Sequence, residues 1–224
     1  MTNVTVLFLA ANPPDTRRLR LDLEIREITE KIRASDFRDS LEIVSLWAVR
    51  PGDLLQALNQ HKPQIVHFSG HGHSSNGIVL EDSQGEAKPV DEDALKSLFR
   101  VLAGRIRVVV LNACFSENQA KAITEVIDCA IGTSHSISDE TAITFAAAFY
   151  RAIGFGTSVY DAFEQGKTAV LLEGLKEPHV LQLRTRLGVD PSRIILTGHS
   201  SLPRRPLDIG KDMTSIDHFY RKRK

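Results

Sequence analysis

The sequence predicts an α/β fold whose central sheet is mostly parallel and carries helices on both faces. Two observations predict it. Apolar runs alternate with amphipathic stretches along the chain, which is the order of a sheet built from strand–helix units. Several of the apolar runs are continuous, as in strands buried on both faces. The length of 224 residues suits one domain with a single core.

The first strand is expected at Val4–Ala11, closed by a loop that begins Asn12-Pro13. Charged residues then separate apolar ones near helical spacing, which predicts a helix over 19–32. Further strands are expected at 41–48, 65–68, 106–111 and 130–132, a small hairpin at 78–80 and 88–90, and a last edge strand at 194–196. Further helices are expected from 51 to 58, from 91 (where Asp91 caps) to 102, from 117, from 139 to 153 and from 158 to 172.

Composition excludes several classes of protein. The 28 basic and 28 acidic residues balance, so the whole chain has no electrostatic reason to bind nucleic acid or a membrane surface. Two cysteines in 224 residues are not a disulfide scaffold. The first apolar run is too short to span a bilayer and follows no basic residue, so it fits neither a signal peptide nor a membrane helix. We expect a cytoplasmic protein with reduced thiols.

The composition changes near residue 200. We therefore expect a domain over residues 1–200 and a basic tail over 201–224, which ends Arg221-Lys222-Arg223-Lys224. Two interpretations of the tail stay open. It is a loosely ordered terminus, or it is a docking segment for an acidic partner.

His71 and Cys114 each come just after a predicted strand, and ligand chemistry in such sheets lies beyond the carboxyl ends of the strands. If the two strands are neighbours, both side chains reach one crevice. A cysteine nucleophile needs a base to form a thiolate and backbone donors for the oxyanion. His71 supplies an imidazole, and the amides of Gly72 and Cys114 are the candidate oxyanion donors.

Other interpretations of these residues compete. From chemistry alone, Cys114 is equally well a small buried hydrophobe. His67 and Cys129 lie within predicted strands, where core packing is expected. His67, His71 and His73 could together bind a metal ion, but they are a poor candidate site because no carboxylate or second cysteine lies nearby in the sequence. We therefore expect neither a metal nor another cofactor.

Several segments resemble CHAT domains, which belong with the caspases, separases, gingipains and metacaspases. The resemblance covers roughly residues 4 to 198, and two segments carry the site: His67-Phe68-Ser69-Gly70-His71-Gly72 and Leu111-Asn112-Ala113-Cys114. Supporting segments are 130–133, 138–140, 146–150 and 156–163. The resemblance implies a caspase-haemoglobinase fold and a cysteine endopeptidase that cuts protein substrates. It assigns His71 as general base and acid, Cys114 as nucleophile and Gly72 as oxyanion donor.

The resemblance also implies regulation, because relatives often wait for a sensor or partner and act in bacterial defence or programmed cell death. Some related families carry an acid two residues before the cysteine, which favours a basic residue before the cut. Here that position is Asn112, a candidate substrate-binding residue from which basic specificity does not follow. Two other functions compete: a catalytically silent interaction module, and a nucleotide-processing domain of the TIR type, which explains neither the His71 nor the Cys114 segment.

Overall fold

The computed structural model describes residues 3–73 and 77–198. The strands are β1 (Val4–Ala11), β2 (Leu41–Leu46), β3 (Ile65–Gly70), β4 (Gly72–His73), β5 (Gly77–Glu81), β6 (Ala87–Val90), β7 (Val108–Asn112), β8 (Cys129–Thr133) and β9 (Leu181–Thr185). The helices are α1 (Leu21–Arg33), α2 (Pro51–His61), α3 (Glu92–Leu102), α4 (Glu117–Ile123), α5 (Asp139–Gly154) and α6 (Val159–Leu172).

Six strands form the central sheet in the order β2-β1-β3-β7-β8-β9. The pairs from β2 to β8 are parallel, and β9 joins β8 antiparallel at the edge. Strands β4, β5 and β6 form a separate antiparallel sheet, and β5 and β6 are the predicted hairpin. The predicted fold class is therefore confirmed, and so is the adjacency of β3 and β7 on which a shared crevice depends.

Each face of the sheet carries its own apolar layer. Side chains of α1, α5 and α6 pack on one face together with alternate residues of the strands, including Phe8 and Val110. Side chains of α2, α3 and α4 pack on the other face, where the intervening strand residues such as Leu9 and Val109 point. The strands are apolar on both faces because each face is covered, as the continuous apolar runs predict.

The predicted edge strand at 194–196 is wrong. Strand β9 (Leu181–Thr185) occupies that edge instead, and Ile195 forms only an isolated bridge to Ser158. Most of β9 is half-buried, because an edge strand pairs on one side only, so polar residues interrupt its apolar pattern. Ile194 is buried by packing on the core without continuous pairing.

Most other element boundaries fall within a few residues of the predicted ones, and the Asp91 cap is confirmed by its carboxylate, which accepts from Ala94 N at 2.7 Å. The predicted tail, residues 201–224, lies outside the described residues. In the described ranges no helix is both long enough and apolar enough to cross a bilayer.

Gly166 allows α6 to pack closely on α5. A Cβ at this position would lie 2.6 Å from two ring carbons of Phe145, whose side chain is buried and cannot withdraw into solvent. We expect Gly166→Ala to lower the free energy of unfolding by about 1–3 kcal/mol, because overpacking outweighs the gain in helix propensity.

Urea denaturation measures this change. Gly52→Ala is the matched control, since Gly52 lies in α2 with nothing within 4 Å of an added Cβ. That substitution is expected to be neutral or to stabilise by up to about 1 kcal/mol. Equal effects of the two substitutions would contradict the close packing of α5 and α6.

Candidate active site

The register between β3 and β7 places the two principal candidate residues at the same level. Ser69 pairs with Asn112 in the parallel ladder. His71 lies two residues beyond Ser69, and Cys114 lies two residues beyond Asn112. Both side chains line one cavity at the carboxyl edge of the sheet, as predicted.

The backbones of Gly72 and Cys114 are in direct contact. A Cβ built on Gly72 would lie 1.9 Å from the carbonyl oxygen of Cys114 and 3.0 Å from its nitrogen. No other residue type fits at position 72 without moving the segment that carries Cys114. The chain turns sharply just after Cys114, at Phe115, a non-glycine residue with a φ of 56°. The close contact between the two backbones brings the segments that carry His71 and Cys114 together at the cavity.

The Cys114 thiol is half-buried and lies against the loop between β8 and α5. Its Sγ is 3.5 Å from the nitrogen of Ile137, which donates to it, and 3.8 Å from the carbonyl oxygen of the same residue. Within the described residues, the amide of Cys114 donates to no acceptor. This amide is therefore available to a bound group.

His71 is oriented by a backbone carbonyl. Its Nε2 donates to the oxygen of Arg17 at 2.6 Å. Because a carbonyl oxygen only accepts, the proton of the neutral ring is on Nε2, and Nδ1 is left as the basic nitrogen. The carbonyl belongs to the loop between β1 and α1, whose ends are joined by two hydrogen bonds between the side chain of Asn12 and the backbone of Leu19.

A buried polar network forms the floor of the cavity. We call it the Glu24 cluster, and its members are Glu24, His67, Ser69, Asn112 and Tyr150. Glu24 accepts from His67 Nε2 at 2.8 Å, from Asn112 Nδ2 at 2.6 Å and from Ser69 Oγ. Tyr150 OH lies 3.1 Å from His67 Nδ1. The cluster thereby connects α1 and α5 to the ends of both β3 and β7.

Tyr150 lies at the buried end of the Glu24 cluster, beside His67. Burial, and secondly the charge of Glu24, hold the pKa of Tyr150 well above its ordinary value, so the phenol keeps its proton. The phenol oxygen and His67 Nδ1 share one hydrogen bond, and His67 Nε2 donates to Glu24. Both oxygens of Glu24 are thus hydrogen-bonded, Oε1 to His67 and Asn112, and Oε2 to Ser69.

A second carboxylate secures the start of α5 beside the cavity. Glu177 accepts from Thr141 Oγ1 at 2.7 Å and from Ser138 Oγ at 2.7 Å. These hydrogen bonds, the one from Thr141 foremost, lower the pKa of Glu177. Ser138 also caps α5, whose first residue, Asp139, lies on the cavity rim.

Of the four residues predicted for the site, His71, Cys114 and Asn112 line the cavity, and Gly72 abuts Cys114. Sequence reasoning missed Glu24, the Arg17 carbonyl and the Ile137 amide. The sequence does contain a signal for Glu24, since this charged residue occurs on the buried face of α1 among apolar residues. The two backbone groups left none, because any residue type carries them.

The other expectations have clear outcomes. Cys129 is fully buried in β8, so its assignment to the core is confirmed. His67 is also fully buried and stacks on Phe8 at 5.1 Å between ring centroids, but it is hydrogen-bonded in the Glu24 cluster as well. Among residues 3–73 and 77–198, no group of three His, Cys, Asp or Glu side chains is arranged to hold a metal ion.

Comparison with protein families matches residues 7–181 of this chain to the CHAT domain. A Roc-COR-CHAT protease from an unknown prokaryotic organism is 31% identical over 162 residues, which is 67% of this chain and 15% of the relative. A probable protease from Gillisia limnaea is 28% identical over 147 residues, 65% of this chain and 26% of the relative. The chain thus spans about a quarter or less of the length of these relatives.

Solved structures with the same fold include cysteine proteases. A secreted C11 cysteine protease from Bacteroides thetaiotaomicron, bound to an irreversible peptide inhibitor, superposes with a TM-score of 0.63 at 12% identity and covers 83% of this chain and 66% of its own. The Drosophila initiator caspase Dronc superposes with a TM-score of 0.53 at 12% identity and covers 81% and 79%. At these identities the likeness shows the fold alone.

The two cysteines are expected to differ in reactivity. Burial, and secondly the charge of Asp128, raise the pKa of Cys129 to about 12, so near pH 8 this thiol stays protonated as well as inaccessible. Cys114 is partly exposed in the cavity. We expect iodoacetamide to modify Cys114 alone in the native protein, as read by peptide mass spectrometry.

Both thiols are expected to react once urea unfolds the chain, which controls for reagent and detection. Comparable native rates at Cys114 and Cys129 would contradict the burial of β8.

Proposed function

Because this chain belongs to the CHAT domain family, we propose that it is a caspase-like cysteine endopeptidase in which His71 and Cys114 form the catalytic dyad. One observation carries the proposal: the two residues line the same cavity, each two positions beyond a registered pair of parallel strands. The protease names of the relatives and the cysteine-protease fold support it.

The proposed chemistry follows from the protonation of His71. Its Nδ1 removes the thiol proton as Cys114 Sγ attacks the scissile carbonyl carbon. The tetrahedral intermediate collapses to a thioester while the imidazolium returns the proton to the leaving amine. Water, deprotonated by the same ring, then hydrolyses the thioester. The Arg17 carbonyl keeps Nε2 protonated throughout and thereby orients Nδ1 as the base.

The amides of Gly72 and Cys114 are the proposed oxyanion donors. The contact between the two backbones supports this role, since one small oxygen needs two N–H groups close together. The amide of Cys114, which donates to no acceptor in the described part of the chain, supports it further. Asn112 is the proposed substrate-binding residue at the floor of the same cavity.

We further propose that activity depends on a partner or sensor, in bacterial defence or programmed cell death, in the cytoplasm. The length of the relatives supports regulation, since the matched region makes up only 15% to 26% of them. We place the catalytic domain in residues 1–200 and assign the basic segment 201–224 as a candidate docking element for an acidic partner.

Removal of either dyad member is expected to abolish proteolysis. Cys114→Ala and His71→Ala should each lower kcat/KM by roughly a thousandfold or more, and the double variant should be hardly worse than either, because the pair acts as a unit. Cleavage of protein substrates, identified by mass spectrometry of new termini, measures the loss. Circular dichroism and urea denaturation check that the variants fold.

Cys129→Ala is the matched control, since it removes the other thiol. It should retain cleavage, after allowance for any loss of stability. Activity that survives Cys114→Ala, or that disappears in folded Cys129→Ala, would contradict the dyad. A peptide probe that alkylates Cys114 also separates the peptidase from the silent interaction module, which would give no peptide-directed labelling.

The chain alone is expected to have little basal activity. If the substrate groove is formed in only a small fraction of molecules, a partner that binds the ordered state shifts the population towards activity. The measurement is turnover of a broad peptide library by the purified chain. Efficient turnover without a partner, ligand or oligomerisation would refute partner-dependent activation while leaving the dyad intact.

A further inference from the structure

The loop between β8 and α5, which we call the 134–138 loop, is held at both ends by the segment that leads into β9. At its start, Ser134 donates to the carbonyl oxygen of Val180 from its backbone nitrogen at 2.9 Å and from Oγ at 3.3 Å. At its end, Ser138 donates to Glu177 from its backbone nitrogen at 3.1 Å and from Oγ at 2.7 Å. One short segment therefore fixes the position of the whole loop.

The 134–138 loop in turn contacts the segment of the proposed nucleophile at two points. The backbone nitrogen of Phe115 donates to the carbonyl oxygen of His135 at 3.3 Å. The backbone nitrogen of Ile137 donates to Cys114 Sγ at 3.5 Å, and the carbonyl oxygen of Ile137 lies 3.8 Å from the same sulfur. The first contact supports the sharp turn after the cysteine, and the second places a peptide group beside the thiol.

The two contacts between Ile137 and the sulfur respond differently to loss of the thiol proton. A protonated thiol can donate to the carbonyl oxygen and accept from the amide, whereas a thiolate only accepts. The amide contact, which is the shorter of the two, is therefore the one that survives ionisation. Because a hydrogen bond donated to the charged form favours that form, the position of Ile137 affects how much of Cys114 is thiolate, and the thiolate is the nucleophile.

Glu177 is the acceptor on which the end of the 134–138 loop depends. Three donors converge on its Oε2, the backbone nitrogen and Oγ of Ser138 and Oγ1 of Thr141. Ser138 follows Ile137 directly, so the two residues share a peptide bond and the position of one restricts the other. Glu177 itself lies outside the lining of the cavity, so it reaches the thiol only through the loop.

Building on the proposed peptidase function, we propose that Glu177 is a positioning residue for the nucleophile. It holds Ser138 and thereby keeps the amide of Ile137 directed at Cys114 Sγ. The negative charge of Glu177 acts in the opposite direction, since a nearby anion disfavours a thiolate. Positioning and charge therefore predict opposite effects when the carboxylate is removed.

The pH dependence of Cys114 alkylation tests this inference, because iodoacetamide reacts with the thiolate. The readout is the second-order rate of modification of Cys114 between about pH 5 and 10, followed by peptide mass spectrometry. Glu177→Ala removes the acceptor and releases Ser138. We expect the pH of half-maximal rate to rise by at least about half a pH unit, which corresponds to a roughly threefold smaller ratio of thiolate to thiol.

Glu177→Gln separates position from charge, because it removes the charge but keeps a side-chain oxygen that can accept from Ser138 and Thr141. We expect it to produce less than half of the shift seen in Glu177→Ala. The matched control is Glu173→Ala, which removes an exposed carboxylate at the end of α6, outside the cavity, and should leave the profile unchanged. Urea denaturation at both ends of the pH range checks that each variant is folded.

An unchanged profile in folded Glu177→Ala would overturn the inference. A shift to lower pH would also overturn it, since it would assign the effect of Glu177 to its charge, and so would equal shifts in Glu177→Ala and Glu177→Gln. The other titratable groups around the thiol and around Glu177 are the same in all these variants, and they are Arg20, Glu24, His71, His135, Asp139 and His179.

The inference and the proposed function fail separately. Iodoacetamide needs no recognition of a peptide, so the alkylation profile is measured whether or not the chain is a peptidase. Failure of a peptide probe to label Cys114 in the wild type, while iodoacetamide still modifies it, would contradict the peptidase function and leave the positioning of the thiol by Glu177 as measured.

Discussion

The parallel register between β3 and β7 is the constraint on which the candidate site depends. It fixes which residue of one strand end lies beside which residue of the other, and Ser69 opposite Asn112 brings His71 level with Cys114. Side chains alternate between faces along a strand, so a slip of one residue would send the apolar residues of β7 to the wrong layers and separate the two reactive groups. The hydrophobic pattern that builds the core therefore also aligns the site.

The Glu24 cluster is the second constraint on the site. Burying its carboxylate would cost free energy if no hydrogen-bond donors surrounded it. A carboxylate that is 3% exposed is stable only when donors replace its lost hydration, and here the donors come from both β3 and β7. The network therefore binds the two strand ends to α1 at the level just below the reactive residues. Tyr150 completes it from α5. One set of hydrogen bonds thus holds both the Glu24 side chain and the ends of β3 and β7 in place.

Much of this arrangement could be predicted from the sequence, for identifiable reasons. Strands buried on both faces give unbroken apolar runs, so β1, β3 and β7 were predictable, and with them the two strand ends that carry His71 and Cys114. The edge strand β9 was not, because pairing on one side leaves Gln182 and Arg184 half-buried within it. The orientation of His71 by the Arg17 carbonyl was not predictable either, since a backbone acceptor has no signature in the sequence.

The two helical layers contribute unequally to the cavity. Its lining comes from α1, α5 and the loops that lead into them, together with the ends of β3 and β7, whereas α2 and α3 contribute no side chain to it. The layer with α2 and α3 has its own apolar cluster on the opposite face. Substitutions on the exposed faces of α2 and α3 are therefore expected to leave the lining of the cavity unchanged. The surface of that second layer can thus vary in sequence independently of the cavity, provided that its apolar cluster stays packed.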